Sequence, residues 1–139
     1  FQVECLVSGD CMKVRGIDHF NVRATSELLE QTRQFYCDTI GLVVGDRPPF
    51  EEFGYWLYAG EQAVVHLSLA GETEELAADV PTTLNHVAFA CQGRAGFEQR
   101  LSDSGVRYRT AEVPETNVSQ IFTHDPAGNG IELSFGEDA

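Results

Sequence analysis

The sequence predicts an α+β domain of two βαβββ modules, whose strands form a mixed sheet curled around a cleft with the helices outside. Three observations carry that expectation. Strand-like and helix-like patterns recur in the same order in the two halves of the chain. Asp18-His19-Phe20 is echoed 67 residues later by Asn85-His86-Val87. His19 and His66 are 47 residues apart, and His86 and Glu132 are 46 apart, in a chain with only four histidines.

The first module occupies about residues 14–69. From Val14 the pattern alternates, with Ile17, His19, Asn21 and Arg23 on one face and Asp18, Phe20 and Val22 on the other, as a half-buried strand requires. Thr25 can cap a helix in which Leu28, Leu29, Thr32, Phe35, Tyr36 and Ile40 recur at helical spacing until Gly41, a C-terminal stop. Residues 42–44 read as a short strand, Pro48 and Pro49 mark a loop, and residues 53–59 form an aromatic-rich strand. Gly60 turns the chain into a return strand over 63–69.

An acidic connector over 70–83 leads to the second module, about residues 84–135. Its elements are a strand at 84–90, a helix at 95–104 stopped by Gly105, and strands at 106–109, 118–123 and 131–135. The last two are joined by a turn through Asp125, Pro126, Gly128 and Gly130.

With 139 residues, 42% of them hydrophobic, the chain can bury one core, so residues 12–139 are read as a single domain. The first eleven residues precede the only methionine, Met12. They read either as a leader or expression-derived segment or, from Phe1, Val3, Leu6 and Val7, as an extra edge strand. A formal net charge of -13 repels phosphate backbones and anionic lipid, so neither nucleic acid nor a membrane is an expected partner. No stretch approaches the ~20 apolar residues of a membrane helix, and no secretory signal pattern is present, so the location expected is cytoplasmic. Cys5, Cys11, Cys37 and Cys91 lack the paired spacing of a zinc or dithiol motif and read as reduced thiols.

Alternation fixes where the polar residues point. In the final strand Ile131, Leu133 and Phe135 oppose Glu132 and Ser134, and in 63–69 Val65, Leu67 and Leu69 oppose His66 and Ser68. If the apolar sets pack on the helices, His19, His66, His86 and Glu132 face the hollow of the sheet. An unpaired carboxylate is costly there, and coordination removes the cost. Three imidazoles and a carboxylate suit one divalent ion, Fe, Mn, Ni, Co or Zn.

Such a site would bind a small-molecule substrate through oxygens on adjacent carbons and stabilise an oxyanion, with Glu132 and His66 as candidate bases. Arg23 and Asn21 share the face of His19 and are candidate substrate-binding residues, Arg23 as a bidentate anion partner. Arg23 also reads as a rim salt bridge, and Asn21, Ser68 and Ser134 as residues orienting ligands. Any one of the histidines alone reads as a hydrogen-bonded core or cleft residue; their repetition is what points to a metal. His124, beside Asp125-Pro126, reads as a surface or turn residue, and Tyr55, Trp56 and Tyr58 read as core more than as a binding platform.

Asp18-His19-Phe20, Phe35-Tyr36 with Gly41-Leu42, Asn85-His86-Val87-Ala88-Phe89, and Asp125-Pro126-Ala127-Gly128 followed by Ile131-Glu132-Leu133 resemble the vicinal oxygen chelate superfamily. That superfamily includes glyoxalase I, extradiol dioxygenases, fosfomycin resistance enzymes and bleomycin resistance proteins. The resemblance covers residues 14–135. The glyoxalase pattern implies His19, His66, His86 and Glu132 as ligands, with Arg23 matched and Ala70 where that family has asparagine. The extradiol pattern implies His19, His86 and Glu132 as iron ligands and His66 as an acid-base residue. Phe122 then stands in place of a tyrosine, and no histidine occurs among Val113, Pro114 and Glu115. The fosfomycin enzymes use three ligands, which leaves His66 surplus. The resemblance therefore implies a metalloenzyme, with a metal-free, bleomycin-resistance-type binding protein as the alternative. It also implies a homodimer, in which one site can draw His19 and His66 from one subunit and His86 and Glu132 from its partner.

Overall fold

The structure, a computed structural model, describes residues 12–78 and 80–136. Residues 1–11, for which a leader or an edge strand was expected, lie outside it.

The first module runs β1 (Phe20–Ala24), α1 (Ser26–Gln34), a π-helical continuation (Phe35–Ile40), β2 (Val43–Gly45), β3 (Gly54–Ala59) and β4 (Gln62–Leu69). The second runs β5 (Val87–Cys91), α2 (Arg94–Asp103), β6 (Arg109–Glu112), β7 (Ser119–His124) and β8 (Gly130–Phe135). The βαβββ order is as expected in both. Instead of one curled sheet there are two four-stranded sheets, ordered β1-β4-β3-β2 and β5-β8-β7-β6. In each, the opening strand lies parallel to the last strand of its module and the other pairs are antiparallel.

One apolar core lies on the helix side of both sheets. Val22 and Ala24 from β1, Val65 and Leu67 from β4, and Ile131, Leu133 and Phe135 from β8 are buried there with Leu29, Phe35, Tyr36 and Leu101 from the helices. These are the positions that alternation assigned to the helix-facing side. Burying a side chain of this size contributes roughly 1.5–3 kcal/mol before entropy is subtracted. Gly41, with φ +96°, ends the helical segment where the sequence placed its stop; its N–H and that of Leu42 both donate to the Tyr36 carbonyl, at 3.0 and 2.8 Å.

Beside the shared core, two hydrogen bonds join the modules. Arg100 on α2 donates to the Thr39 carbonyl at 3.1 Å. Tyr36 Oη donates to Asp125 Oδ2 at 2.6 Å, fully inside the core. Burial pushes the Tyr36 hydroxyl far above its ordinary pKa, and the adjacent Asp125 carboxylate adds to the rise, so the phenol stays protonated and able to donate. Asp125 also accepts from the N–H groups of Ala127 and Asn129 and from the Asn129 amide, which locks the turn leading into β8. Tyr36→Phe is expected to cost about 1–2 kcal/mol of stability, read as a lower urea midpoint with unchanged slope. A midpoint equal to wild type would show that this bond contributes nothing net.

Three strands start clearly later than expected, β5 among them, at Val87 rather than residue 84. β1 starts at Phe20, and Val14 and Ile17 are 92% and 88% exposed, because the parallel ladder to β4 begins only at Phe20 opposite Val65. β6 starts at Arg109 rather than Val106, since Val106 and Tyr108 serve as packing residues leaving α2. His124, the last residue of β7, is exposed, in keeping with the surface reading. Among the described residues no helix is long and apolar enough to cross a membrane. The thiols of Cys37 and Cys91 are free, as expected.

Candidate functional site

The face of each sheet opposite the helices carries the same constellation. In the first sheet Trp56 on β3 is the register partner of His66 on β4, and His19 immediately precedes β1. In the second, Phe122 on β7 is the partner of Glu132 on β8, and His86 immediately precedes β5. Parallel pairing of opening and closing strands brings His19 beside His66 and His86 beside Glu132. The spacing of 47 and 46 residues is thus a consequence of one topology used twice.

His86 and Glu132 are geometrically prepared. His86 Nε2 lies 3.2 Å from Glu132 Oε1. On the other side of the ring, His86 Nδ1 donates to Asn85 Oδ1 at 2.9 Å, which leaves a lone pair on Nε2. A lone pair then faces a carboxylate oxygen on a residue only 7% exposed, an arrangement that calls for a cation or a shared proton between them. Two donors each about 2.1 Å from a metal lie roughly 3.0–3.4 Å apart at octahedral to tetrahedral angles, and the observed separation falls in that window. Gly130 makes room for the arrangement. A Cβ there would stand 2.1 Å from the Asn85 carbonyl oxygen and 3.2 Å from the His86 Cβ, so only glycine lets β8 approach the segment carrying His86.

His19 repeats half of this design. Its Nδ1 donates to Asp18 Oδ2 at 2.7 Å and leaves Nε2 free, just as Asn85 does for His86 one module later. His66 is different. Its ring is sandwiched between His19, at 3.7 Å and 10° between planes, and Trp56, at 4.2 Å and 15°. Its Nε2–H donates to the Ala63 carbonyl at 3.1 Å. Burial lowers its pKa, and the nearby His19 lowers it further, which keeps the imidazole neutral at pH 7 with Nδ1 as its basic atom. Ring lone pairs lie in the ring plane, so two near-parallel stacked rings do not aim them at one ion.

The four predicted ligands are therefore assembled as two pairs. Among the described residues, no three His, Cys, Asp or Glu side chains of one chain come together as a metal-binding group. The predicted substrate-binding residues join a separate network on the first sheet. Arg23 pairs with Glu74 of the connector at 2.5 Å and reaches Ser68 Oγ at 3.4 Å, and Ser68 donates to Asn21 Oδ1 at 2.9 Å. The rim salt bridge is thus the arrangement Arg23 adopts, and Asn21 and Ser68 bond each other rather than a histidine.

Sequence reading gave Trp56 and Arg109 no site role and named Phe122 only as the residue in place of the extradiol tyrosine. Trp56 belongs to the site face rather than to the core, and its register opposite His66 is the signal that would have placed it there. Arg109 stands over the Phe122 ring at 4.2 Å, and Phe122 stands edge-on to His86 at 5.6 Å. Together with Arg107 and His124 they border a cavity of about 400 Å³ opening beside His86.

The sequence profile of the Glyoxalase/Bleomycin resistance protein/Dioxygenase superfamily matches residues 16–133. No curated protein matched the chain. Among solved structures, a Bacillus anthracis protein assigned to the glyoxalase family is 26% identical with a TM-score of 0.69, the match covering 92% of this chain and 100% of that one. A glyoxylase/bleomycin resistance protein/dioxygenase domain from Frankia sp. EAN1pec is 15% identical with a TM-score of 0.70, over 90% and 100% of the two chains. The fosfomycin resistance protein FosX from Listeria monocytogenes is 16% identical with a TM-score of 0.63, over 89% and 95%. The last two likenesses concern the fold alone. With the profile spanning both modules and the same architecture in these structures, the chain belongs to the glyoxalase/bleomycin resistance protein/dioxygenase superfamily.

Proposed function

We propose that the protein is a divalent-metal-dependent enzyme acting on a small substrate with vicinal oxygens, and that its complete site is shared between two chains. The observation that carries the reading is the His86 and Glu132 pair. Its two acceptor atoms sit at ligand spacing, and the orienting hydrogen bond from His86 Nδ1 to Asn85 is already in place.

His19, with its free Nε2 held out by Asp18, supplies the third donor from the first module of a partner. His66 is assigned the proton-transfer role: it is neutral, stacked in place, and basic at Nδ1. Trp56 backs that ring and restricts its rotation. A bound ion would polarise the substrate oxygens and stabilise negative charge developing on them. Glu132 holds its carboxylate at the floor of the second sheet, where burial limits competing water.

Exposed apolar side chains support a second copy as the missing half. Met12, Val14 and Ile17 lead into His19 and are 94%, 92% and 88% exposed, and Leu84, two residues before His86, is 73% exposed. Apolar residues bordering both half-sites are what an interface covers. A C2 dimer would then bring the first sheet of each chain opposite the second sheet of the other and form two equivalent sites.

Calorimetric titration of chelator-stripped protein with Fe²⁺ (anaerobic), Mn²⁺, Ni²⁺, Co²⁺ and Zn²⁺ tests the first part, and sedimentation tests the second. The expected result is about one ion per chain, bound by a dimer. Failure of every ion to bind would overturn the metalloenzyme reading in favour of a metal-free ligand-sequestering protein. Monomer at all working concentrations would overturn the shared site.

A further inference from the structure

We infer that the cavity beside His86 is a recognition site for an oxyanion group of the substrate, a carboxylate or a phosphonate or phosphate, held by Arg107 and Arg109. This deepens the reading above, and rests on it for placing the reacting end of the substrate at His86 and Glu132.

The chain is strongly acidic, with 22 aspartate and glutamate residues against 9 lysine and arginine residues, so carboxylates are abundant partners for a guanidinium. Arg23, Arg33 and Arg94 form ion pairs, with Glu74, Glu30, and Glu98 and Glu112. Arg15, Arg47, Arg100, Arg107 and Arg109 form no ion pair among the described residues, and of these Arg107 and Arg109 border the same cavity of about 400 Å³. A volume of that order admits a small metabolite-sized ligand.

Their placement is built into the sheet. Arg109 is the register partner of Phe122, and Phe122 is the partner of Glu132, so one row across the second sheet runs from guanidinium through aromatic ring to carboxylate. Phe122 carries the Arg109 guanidinium on its ring face at 4.2 Å, which preorganises the cation without neutralising it. Arg107 lies two residues before Arg109, just outside β6, and borders the same cavity. His124 ends β7 on the face of Phe122 and borders the same space.

Two unneutralised guanidiniums match the planar, multi-acceptor shape of an oxyanion, and the adjacent Phe122 ring offers an apolar surface to the body of the ligand. The protein's overall negative charge works against diffuse anion binding. Oxyanion binding would therefore report this local cluster.

The test uses the metal-free full chain, titrated with benzoate, phenylphosphonate and neutral benzamide while the imidazole C–H resonances of His86 and His124 are followed by NMR. Either oxyanion is expected to give saturable shifts at least about tenfold tighter than benzamide, and the tighter of the two assigns the class. Arg107→Gln and Arg109→Gln are each expected to weaken it several-fold, while Arg33→Gln, on helix α1 and paired with Glu30, leaves it unchanged. Equal affinity for benzamide, no saturable binding of either oxyanion, or unchanged affinity in both arginine variants would overturn the inference. Because the titration needs no metal, loss of the metalloenzyme reading and loss of this one are separately visible.

Discussion

Replacing His86 by alanine is expected to lower divalent-metal affinity by at least about 100-fold, while His124→Ala changes it by less than about twofold. A hundredfold loss corresponds to about 2.7 kcal/mol, well above the resolution of a titration. The contrast is informative because the two histidines border the same cavity and both belong to the second module, so a general electrostatic or folding effect would touch both. Only His86 has its Nε2 3.2 Å from the Glu132 carboxylate and its Nδ1 held by Asn85. His124 has neither feature. Glu132→Gln keeps the shape of the side chain and removes its charge, and is expected to reproduce the His86→Ala loss. Asn85→Ala leaves every ligand in place but frees the ring, and is expected to cost about tenfold. His86 sits just outside β5 and is partly exposed, so its truncation leaves the core intact, and an unchanged thermal transition of the metal-free protein checks this. Equal affinity in the His86→Ala and His124→Ala variants would remove the ligand assignment.

The parts of this design that were legible in the sequence are those set by strand alternation and by repetition. Val65, Leu67, Ile131, Leu133 and Phe135 reach the core, and His66 and Glu132 reach the opposite face, because a strand offers only two sides and the apolar side chains claim one. The turn at Gly41 was legible because a left-handed residue there is most cheaply glycine. What sequence could not supply was how neighbouring strands align. Trp56 beside His66, Arg109 beside Phe122, and the late start of β6 depend on register across strands distant in sequence, and many registers satisfy the same alternation. The exposed stretch from Val14 to Ile17 shows the limit from the other side: its alternation is that of a strand, but no ladder forms before Phe20. Whether four ligand-type residues meet inside one chain or across two is likewise invisible to spacing, because the two topologies have identical intramodule distances. The chain itself assembles them as pairs.

That last distinction has a large and direct readout. His19→Ala damages the first module's half-site and Glu132→Ala the second's, and each variant alone is expected to bind no metal. If sites are shared, mixing the two variants under conditions of subunit exchange restores binding. In each mixed dimer one site collects both defects, while the other combines the intact first module of the Glu132→Ala chain with the intact second module of the His19→Ala chain. With random exchange of equal amounts, half the dimers are mixed and half of their sites are intact, so about a quarter of the wild-type metal stoichiometry should return. If each chain builds its site alone, every site in the mixture carries one defect and the stoichiometry stays at zero. The two outcomes differ by an amount that no plausible change in affinity mimics, because the restored sites contain only wild-type residues and should bind with wild-type affinity. A mixture that regains stoichiometry but at weakened affinity would instead indicate ions held by incomplete half-sites, and would exclude the shared arrangement. The paired geometry of His86 with Glu132 and the outward-facing His19 favour the quarter-restored result, since each module presents its donors on the sheet face away from the core that joins it to its own neighbour.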